Sequence, residues 1–522
     1  MTETAKPAFP YKTQPIGPYQ RDIFARSARL PYAYLAMEQG TGKTWVAINT
    51  AVYLFLKKLI DAMVVFAPNG VHSAWALEQL PTHMSDVVPW RAHIWRSAGE
   101  RAYWNRARDA EVSTQDRRDN WDVWKLVSDR EIFPILCVNS ETITNPLCER
   151  AIGTFLTNRR CLLIADEAGD FTTPSAVRTR ALWRYGRQAP YRRALEGVPV
   201  GTEPLELYAP YRFLSPGILG YKNYGEMKEA HAEWVTLERG DNGRQFKVVK
   251  TDRRTGKKCW KGLDLLAQKI APHTFRALKA EALPFLPPKL FYKRFFSMTA
   301  EQWRLTNELR ENLTANLAEG GTVTAQHILT QYLRFQQIAC GYVPPDVIYG
   351  DQEQDSEPVS IIPGPNPRLE LCIEELLRLR GAPTIIWTRF HFDIDLLSDR
   401  LRQEGFTFVT YDGRTSLPER EEAKAAFQGG AVQVFLGNSA AGGRGLNLFR
   451  AEQEIFYANY FGLRRRLQAE DRGHRIGSRL DQRVRIGDLL AEHSIDMTIV
   501  RALRNNQEVA DIITGDPAKD WI

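Results

Sequence analysis

The chain has 522 residues, of which 25% are charged, and its net charge of +7 corresponds to an isoelectric point near 9.0. This length exceeds what one hydrophobic core supports and suits two or three domains, while the mild basic excess favours a polyanionic partner. The six cysteines are scattered without Cys-x-x-Cys pairs, which argues against a disulfide framework or a zinc site. Because no apolar run reaches membrane-spanning length, we expect a soluble cytoplasmic protein with no membrane partner.

The N-terminal segment, residues 1–17, is rich in proline and is interpreted as a flexible lead-in. It is followed by Pro18-Tyr19-Gln20. An amide that both donates and accepts, next to an aromatic ring, is suited to read the edge of an adenine. Gln20 is therefore a candidate nucleotide-binding residue, although most glutamines in proteins are simply solvated.

The apolar run in residues 32–44, YAYLAMEQGTGKT, passes directly into a glycine-rich loop. A strand, such a loop and then a helix, predicted here over Trp45–Phe55, form the context that a phosphate-binding P-loop needs. The glycines let successive N–H groups point at a triphosphate, the lysine neutralises phosphate charge, and the threonine hydroxyl holds Mg²⁺. A chance Gly-Lys-Thr turn is the alternative. The candidate residues for ATP are Gly40, Thr41, Gly42, Lys43 and Thr44, the last of them also for the metal.

Two further apolar runs predict strands that are buried on both faces, Ala62–Ala67 and Phe133–Val138. Between them, Val71–Leu80 is predicted to be a helix that carries Trp75 and Glu78. This alternation of strands and helices is typical of an α/β fold.

A third apolar run, in residues 161–171 (CLLIADEAGDF), ends in two adjacent carboxylates. A strand that presents Asp166 and Glu167 at its carboxyl end, after a P-loop, is the usual arrangement for a metal-coordinating Asp and a water-activating Glu. A helix N-cap is the alternative explanation. We assign Asp166 to Mg²⁺ and Glu167 to catalysis, with Lys43.

In this order, the segments resemble the Swi/Snf-like family of superfamily-two helicases, which are ATP-driven translocases on duplex DNA. The resemblance extends from Tyr19 to about Ile513 and is most specific in the last two motifs. The matching segments are LAMEQGTGKT, APNGVHSAWALEQL, DEAGDFTTPSAVRTRAL, RRALEGVPVGTEPLELYAPYRFLSPGILG, FRALKAEALPFLPPKL, PTIIWTRF, GNSAAGGRGLNLFRA and LQAEDRGHRIGS.

The last two segments also indicate a chemistry of their own. The glycine-rich turn from Ser439 to Asn447 lets backbone approach a phosphate closely, and Arg472 and Arg475 share one face if their segment is helical. Two arginines that face a bound triphosphate stabilise charge in the transition state, and a solvated helix face is the alternative. We assign Arg472 and Arg475 to catalysis, Gly445 to the nucleotide and Ser439 to nucleic acid.

Two positions depart from the pattern of the family. The segment that begins DEAG corresponds to motif II of the family and has Gly169 where the family usually has His. The segment that begins RRALEGV corresponds to motif III and reads Glu196-Gly197-Val198 where Thr-Gly-Thr is usual. In the family these positions lie between the nucleotide and the cleft. The departures therefore put the coupling of hydrolysis to lobe motion in question, and they do not put the occurrence of hydrolysis in question.

The basic stretch Gly243–Lys261 has the pattern of a hairpin, with two short runs around residues 252–256. Together with Trp260 it is suited to follow a phosphate backbone, and a solvated surface hairpin is nearly as simple an explanation. The candidate nucleic-acid contacts are Arg253, Arg254, Lys257 and Lys258. Residues 344–367 are rich in proline and acidic residues and are interpreted as a flexible connection.

We therefore predict an α/β protein with two tandem RecA-like lobes, each a mostly parallel sheet flanked by helices, with ATP and Mg²⁺ in the interlobe cleft. The predicted regions are a lead-in at 1–17, lobe 1 at 18–221, an interlobe helical region with the basic hairpin at 222–343, a linker at 344–367 and lobe 2 at 368–522.

Three functions compete. The leading one is a DNA-dependent ATPase that translocates on duplex DNA and remodels it or displaces bound protein. The second is a helicase that separates or anneals strands at forks and branched DNA. The third is an ATP-gated DNA-binding scaffold with weak turnover, which the intact candidate catalytic residues disfavour and the altered Gly169 and Glu196 keep open. We expect a monomer whose partner is duplex or branched DNA.

Overall fold

The computed structural model describes residues 9–95, 123–239, 244–252, 254–255, 257–318, 325–343, 360–439, 446–475, 477–478 and 483–514. These residues form two compact units. The first comprises the described residues of Met1–His231, Gly262–Pro284 and Ala510–Asp516, and the second comprises those of Ala232–Lys261 and Phe285–Val509.

The strands of both units are short, as is usual for α/β proteins. In chain order they are β1 (Tyr32–Met37), β2 (Ala62–Ala67), β3 (Trp90–Ile94), β4 (Phe133–Asn139), β5 (Cys161–Asp166), β6 (Tyr191–Glu196), β7 (Trp234–Arg239), β8 (Arg244–Val249), β9 (Thr274–Ala277), β10 (Leu290–Phe296), β11 (Tyr342–Val343), β12 (Ser360–Ile361), β13 (Thr384–Thr388), β14 (Phe408–Tyr411), β15 (Val434–Asn438), β16 (Gln453–Phe456) and β17 (Arg485–Ala491).

The helices alternate with the strands over most of the chain. In chain order they are α1 (Pro18–Ser27), α2 (Lys43–Leu56), α3 (Val71–Ala74), α4 (Leu80–His83), α5 (Pro146–Asn158), α6 (Val177–Gly186), α7 (Tyr208–Leu214), α8 (Pro216–Leu219), α9 (Tyr224–His231), α10 (Leu263–Ile270), α11 (Lys279–Ala282), α12 (Ala300–Ala318), α13 (Ala325–Ala339), α14 (Pro367–Arg378), α15 (His391–Gln403), α16 (Leu417–Gln428), α17 (Leu463–Glu470) and α18 (Ile495–Thr514). A π-helical turn, Trp75–Gln79, lies between α3 and α4. Within the described part of the chain, no helix has both the length and the apolar character needed to cross a bilayer.

The first unit is built on a seven-stranded parallel sheet with the order β3-β4-β2-β5-β6-β1-β9. Strands β2, β4 and β5 are buried along their whole length. Continuous apolar runs of this kind are expected for central strands of a parallel sheet that helices cover on both faces. The predicted positions of these three strands are confirmed to within one residue.

The second unit is built on a six-stranded parallel sheet with the order β10-β17-β16-β13-β15-β14. Alternate residues of its strands enter different hydrophobic clusters: Ile386 and Leu436 lie in one, and Trp387 and Phe435 lie in the other. Since successive side chains of a strand point to opposite faces, this sheet has a core on each side. The predicted fold class, two tandem α/β lobes with mostly parallel sheets, is confirmed.

The segment predicted to be an interlobe helical region, residues 222–343, also supplies a strand to each sheet. It contains β9, which pairs with β1, and β10, which pairs with β17. Strand β9 has only four residues, and β10 (LFYKRFF) carries charged residues among apolar ones, as suits the edge of a sheet. Neither strand has the long apolar run by which the central strands are predicted.

Parts of the segments interpreted as flexible are packed or paired. Tyr11, within the predicted lead-in, stacks on Trp45 of α2 with ring centroids 5.2 Å apart. In the predicted linker, β12 pairs with β11 in antiparallel fashion, and the side chain of Asn366 caps α14.

Helix α1 is tied to the first sheet through Arg193 of β6, whose side chain is fully buried. The guanidinium donates to the carbonyl of Ser27 (3.1 Å), the last residue of α1, and to those of Leu30 (2.8 Å) and Pro31 (3.1 Å), which follow the helix. Burial lowers the pKa of Arg193 to about 9. A cation at the carbonyl end of a helix is stabilised by the helix dipole and by those carbonyls.

Candidate functional site

Three loops of the first unit lie side by side because the strands that precede them are neighbours. Strand β6 lies between β5 and β1, and all three run in the same direction, so their carboxyl ends share one edge of the sheet. The loops begin at Glu38, Glu167 and Gly197. Open α/β sheets bind their ligands at this edge, and we call it the site edge.

The loop between β1 and α2 has the backbone of a phosphate-binding turn. Gly40 and Gly42 have φ angles of 82° and 86°, a region that favours glycine. A Cβ added to Gly42 would lie 1.9 Å from Nε2 of Gln20. The Thr41 hydroxyl donates to the carbonyl of Glu38 at 2.7 Å, which closes the turn. The loop leads into the N-terminus of α2, where free N–H groups and the helix dipole favour an anion.

Gln20 has both ends of its amide engaged with this part of the first unit. Its Nε2 donates to the carbonyl of Thr41 at 3.0 Å, and its Oε1 accepts the N–H of Ile16 at 2.6 Å. The hydroxyl of Tyr19 donates to the same Thr41 carbonyl at 2.9 Å. Gln20 therefore secures the loop in this structure, and its contact with an adenine stays a prediction.

Lys43 and Thr44 are the first two residues of α2. The Lys43 side chain is directed along the site edge, since a Cβ added to Gly197 would lie 3.7 Å from its Nζ. Thr44 is half-buried at the next position. The two residues thus stand where the motif requires a phosphate-directed ammonium group and a hydroxyl.

Asp166 and Glu167 lie at the end of β5. The buried Asp166 accepts the indole N–H of Trp75 (2.8 Å) on one oxygen and the N–H of Glu167 (3.0 Å) on the other. Burial raises the pKa of Asp166, the adjacent Glu167 raises it further, and Lys43 lowers it. Glu167 has a left-handed backbone, with φ of 52°, and accepts a hydrogen bond from Nε2 of Gln39 (2.8 Å). The acidic pair is thus in direct contact with the P-loop.

Trp75 and Gln39 were not predicted to be site residues. Gln39 reaches Glu167 only because the loops after β1 and β5 meet, which no local pattern of residues indicates. Trp75 begins the π-helical turn that interrupts the helix predicted over Val71–Leu80. Such turns are frequent at functional sites, and here the turn directs an indole at Asp166.

The oxygen atoms at the site edge fit a magnesium ion. Mg²⁺ prefers hard oxygen ligands and is held in nucleotide sites by a carboxylate and a hydroxyl together with phosphates. Asp166 and Thr44 offer these two donors. A cation there would also offset the cost of ionising Asp166, the carboxylate whose pKa is raised by burial.

In the second unit, Arg472 and Arg475 lie in a turn. Helix α17 ends at Glu470, so the two arginines do not share a helix face as predicted. Their guanidinium groups nevertheless converge, because Nη1 of each donates to the carbonyl of Leu446 at 3.1 Å. Arg472 is buried, and burial lowers the pKa of Arg475.

Glu454 of β16 lies beside the turn that holds these arginines. Its fully buried carboxylate accepts the N–H of Gly473 at 3.2 Å and the indole N–H of Trp387 at 2.9 Å. Burial raises the pKa of Glu454 to about 8. The carboxylate therefore supports the backbone between Arg472 and Arg475.

Ser439 follows β15 and is buried. Its neighbour Asn438 donates from Nδ2 to the carbonyl of Arg389 at 2.7 Å. Gly445 lies outside the described residues. The assignment of Ser439 to nucleic acid and of Gly445 to the nucleotide stays a prediction.

The basic stretch belongs to the second unit, and its described residues take part in two antiparallel pairings. Strand β8 pairs with β7, which precedes the predicted hairpin. The predicted turn itself is present, since Thr251 bridges Lys258 and Asp252 accepts the N–H of Thr255 at 2.7 Å.

The described basic side chains of that turn, Arg254, Lys257 and Lys258, are exposed. Lys257 forms an ion pair with Glu508, and the Lys258 ammonium lies 5.7 Å from the ring centroid of Trp260. Arg254 lies at the exposed tip, and Arg253 lies outside the described residues. Ser439 is on a different element, the end of β15.

Comparison with known proteins adds three kinds of match. Residues 367–477 match the family model of the helicase conserved C-terminal domain. The chain is 24% identical over 348 residues to an uncharacterized ATP-dependent helicase of Mycoplasma genitalium, which covers 66% of this chain and 30% of that protein. A solved structure, the Sulfolobus solfataricus SWI2/SNF2 ATPase core in complex with dsDNA, aligns with 97% of this chain and 95% of that chain, at 19% identity and a TM-score of 0.38.

Two remodelling proteins match over more of the chain. Protein CHROMATIN REMODELING 24 of Arabidopsis thaliana is 22% identical over 482 residues, which cover 86% of this chain and 41% of that protein. The chromatin structure-remodeling complex subunit snf21 of Schizosaccharomyces pombe is 24% identical over 483 residues, which cover 89% of this chain and 36% of that protein. The chain therefore spans less than half the length of these curated relatives.

One α/β unit thus holds a P-loop beside an acidic pair, and the other contains the segment that matches the helicase C-terminal domain, as expected for a superfamily-two helicase. The chain is similar to chromatin-remodelling proteins over most of its length, which agrees with the resemblance to the Swi/Snf-like family that its sequence motifs predicted.

The raised pKa of Glu454 predicts a pH dependence of stability. Between its ordinary value of 4.5 and about 8, the folded chain holds a proton that the unfolded chain has released. The free energy of unfolding should therefore fall as pH rises through this window, by up to about 1.4 kcal/mol per pH unit. Glu454→Gln cannot ionise and should lack this component in urea denaturation.

The control is Glu421→Gln, whose side chain is 77% exposed and which should follow the parent at every pH. Parallel stability profiles for the parent and Glu454→Gln would contradict the prediction.

Proposed function

We propose that this chain is a DNA-dependent ATPase that uses ATP hydrolysis to translocate on duplex DNA and so remodels DNA or displaces bound protein. The observation that carries the proposal is the meeting of loops at the site edge, where Lys43 at the start of α2 lies near Asp166 and Glu167. The relatives named for chromatin remodelling support DNA as the partner. ATP and Mg²⁺ are the proposed ligands.

The proposed chemistry assigns one task to each group. Lys43 and the N–H groups of α2 bind the β- and γ-phosphates. Glu167 accepts a proton from the attacking water as the bond between the γ-phosphorus and its bridging oxygen breaks, which releases ADP and phosphate. Gln39, 2.8 Å from Glu167, holds that carboxylate at the site edge. When bound, Mg²⁺ offsets charge on the phosphate oxygens.

The turn of the second unit that contains Arg472 and Arg475, which we call the arginine turn, has a complementary task. Arg472 and Arg475 stabilise the negative charge that develops on the phosphates in the transition state. Their convergence on one carbonyl, that of Leu446, supports a shared role. Glu454 stabilises the turn, because its carboxylate accepts the N–H of Gly473.

The first prediction from the proposed function separates ATP binding from the chemical step at the site edge. Lys43→Ala should lose hydrolysis and most ATP affinity, because it removes the phosphate-directed charge. Glu167→Gln should keep ATP affinity and lose turnover by orders of magnitude, because an amide does not take up the proton of water. Binding of a fluorescent ATP analogue and phosphate release measure the two effects.

Lys57→Ala, at the exposed opposite end of α2, is the control and should resemble the parent in both assays. If Glu167→Gln hydrolyses ATP at nearly the parent rate, the catalytic assignment is wrong.

The second prediction concerns the arginine turn. Arg475→Ala should lower DNA-stimulated turnover by roughly a thousandfold while ATP binding changes little, because an arginine finger acts in the transition state. The control is Arg465→Ala, an exposed arginine of α17. An unchanged maximal rate in Arg475→Ala, with DNA saturating, would remove this role.

The third prediction concerns the basic turn. Replacement of Arg253, Arg254, Lys257 and Lys258 by Ala should weaken DNA binding for all sequences. Each lost phosphate contact should also reduce the slope of log affinity against log salt by about 0.9. Titrations at several salt concentrations measure the slope. A charge-matched control replaces Lys57, Arg160, Arg187 and Lys222 by Ala.

An unchanged slope in the first variant would show that the basic turn is a solvated surface feature. An equal reduction in both variants would show a general effect of net charge.

The fourth prediction tests the proposed function against its nearest alternative. We expect blunt duplex DNA to stimulate hydrolysis at least as much as single strands, because the proposed translocase contacts the backbone of an intact duplex and needs no free end. Such contacts carry no sequence information, so the stimulation should not depend on sequence. ATP should also drive displacement of a triplex-forming strand without separation of the underlying duplex. Stimulation by single strands or forks alone, with efficient release of a paired strand, would favour a strand-separating helicase.

A further inference from the structure

The carboxylate of Glu196, the last residue of β6, joins two of the three loops at the site edge. The side chain is fully buried. Its Oε2 accepts the N–H of Gly169 at 2.6 Å, and its Oε1 accepts the N–H groups of Gly197 and Val198 at 3.0 and 3.1 Å. One oxygen thus serves the loop after β5, and the other serves the loop after β6.

Both ends of this link lie next to groups of the proposed ATPase site. Gly169 is in the short 3-10 helix that directly follows Glu167. A Cβ added to Gly197 would lie 3.4 Å from Cγ of Gln39 and 3.7 Å from Nζ of Lys43. Since Gln39 also donates to Glu167, the loop that carries Glu167 is held by both of the other loops at the site edge.

The hydrogen bonds explain how a further carboxylate is tolerated beside a site for phosphates. N–H donors to an ionised acceptor form short, strong hydrogen bonds. A buried carboxylate that loses a donor has a large desolvation cost. Three donors from two loops therefore favour one relative position of those loops. A glutamine has the same shape but one accepting atom at its end, so it cannot accept from both loops.

The hydrogen bond from the N–H of Gly169 to Glu196 joins the two positions at which the sequence departs from the pattern of the family. Gly169 stands where His is usual, and Glu196 stands where Thr is usual. The two departures are therefore parts of one interaction, made between a side chain and the main chain.

We propose that Glu196 is a positioning residue that holds the Glu167 loop against the loop after β6 and thereby sets the rate of the chemical step. The inference rests on the proposed function. Phosphate binding depends on Lys43 and the N-terminus of α2, whereas activation of water depends on the placement of Glu167. Loss of the Glu196 link should therefore lower kcat and leave ATP affinity nearly unchanged.

The test compares Glu196→Gln with the parent chain in steady-state hydrolysis and in binding of a non-hydrolysable ATP analogue. We expect kcat to fall by roughly ten- to a hundredfold, the range for a lost hydrogen bond to a charged group, with KM and analogue affinity within about twofold. Glu196→Asp keeps the charge but is one methylene too short for Gly169. It should show the same selective loss, and it carries the test if Glu196→Gln does not fold.

The matched control is Glu226→Gln, because Glu226 also accepts a backbone N–H, that of Lys222 at 2.7 Å, at the start of α9. This variant should hydrolyse ATP at the parent rate. Hydrogen exchange gives a second readout: the peptide that contains Gly169 should exchange faster in Glu196→Gln, and peptides from β2 and β4 should not.

An active parent with unchanged kcat in both Glu196 variants would overturn the role of Glu196 and leave the proposed function standing. Equal changes in kcat and ATP affinity, or unchanged exchange at Gly169, would overturn it as well. A parent chain that does not hydrolyse ATP would overturn the proposed function together with the inference.

Discussion

The parallel pairing of β5, β6 and β1 is the constraint on which the candidate site depends. It brings Lys43, Asp166 and Glu196 to one edge although they are distant in the sequence. Their relative heights follow from the strand register, in which Asp166 pairs with Leu195 and Ala36 pairs with Glu196. A slip of one residue would move a loop by about 3.3 Å, which is more than a hydrogen bond tolerates. The apolar side chains that hold the register therefore also determine the geometry of the polar site.

The two units support a buried carboxylate in the same way. Asp166 accepts an indole N–H from Trp75 and a main-chain N–H from Glu167, and Glu454 accepts the equivalent pair from Trp387 and Gly473. An indole nitrogen is only a donor, and the ring around it is apolar. It can therefore satisfy an acid while it excludes water. Burial raises the pKa of both carboxylates, and the indole hydrogen bond partly offsets this rise.

Much of this arrangement could be predicted from the sequence, because long apolar runs and glycine-rich loops have local causes. Strands β2, β4 and β5, the P-loop and the acidic pair belong to this group. Strands β9 and β10 were missed because one is very short and the other mixes charged with apolar residues. The contacts of Gln39 and Trp75 were missed for another reason, since they exist only once separate loops meet or a helix adopts a π turn.

The contacts of Arg472 and Arg475 also could not be predicted from the local sequence. A spacing of three residues suggested that Arg472 and Arg475 share a helix face, but the helix ends at Glu470. The two side chains meet because both reach the carbonyl of Leu446, a contact from outside their own segment. The spacing therefore predicted that the two side chains lie close together, but not the geometry that brings them there.

Helix α1 is anchored at both of its ends, and this has a mechanical consequence. Near its start Gln20 holds Thr41 of the P-loop, and at and just after its end the carbonyls of Ser27 and Leu30 hold Arg193 of β6. Three residues further along β6, Glu196 holds the loop of the acidic pair. The hydrogen bond from Gln39 to Glu167 closes this set of contacts into a ring of the P-loop, α1, β6 and the acidic loop. The relative position of the P-loop and the acidic loop is therefore fixed by two separate routes and not by the Gln39 hydrogen bond alone.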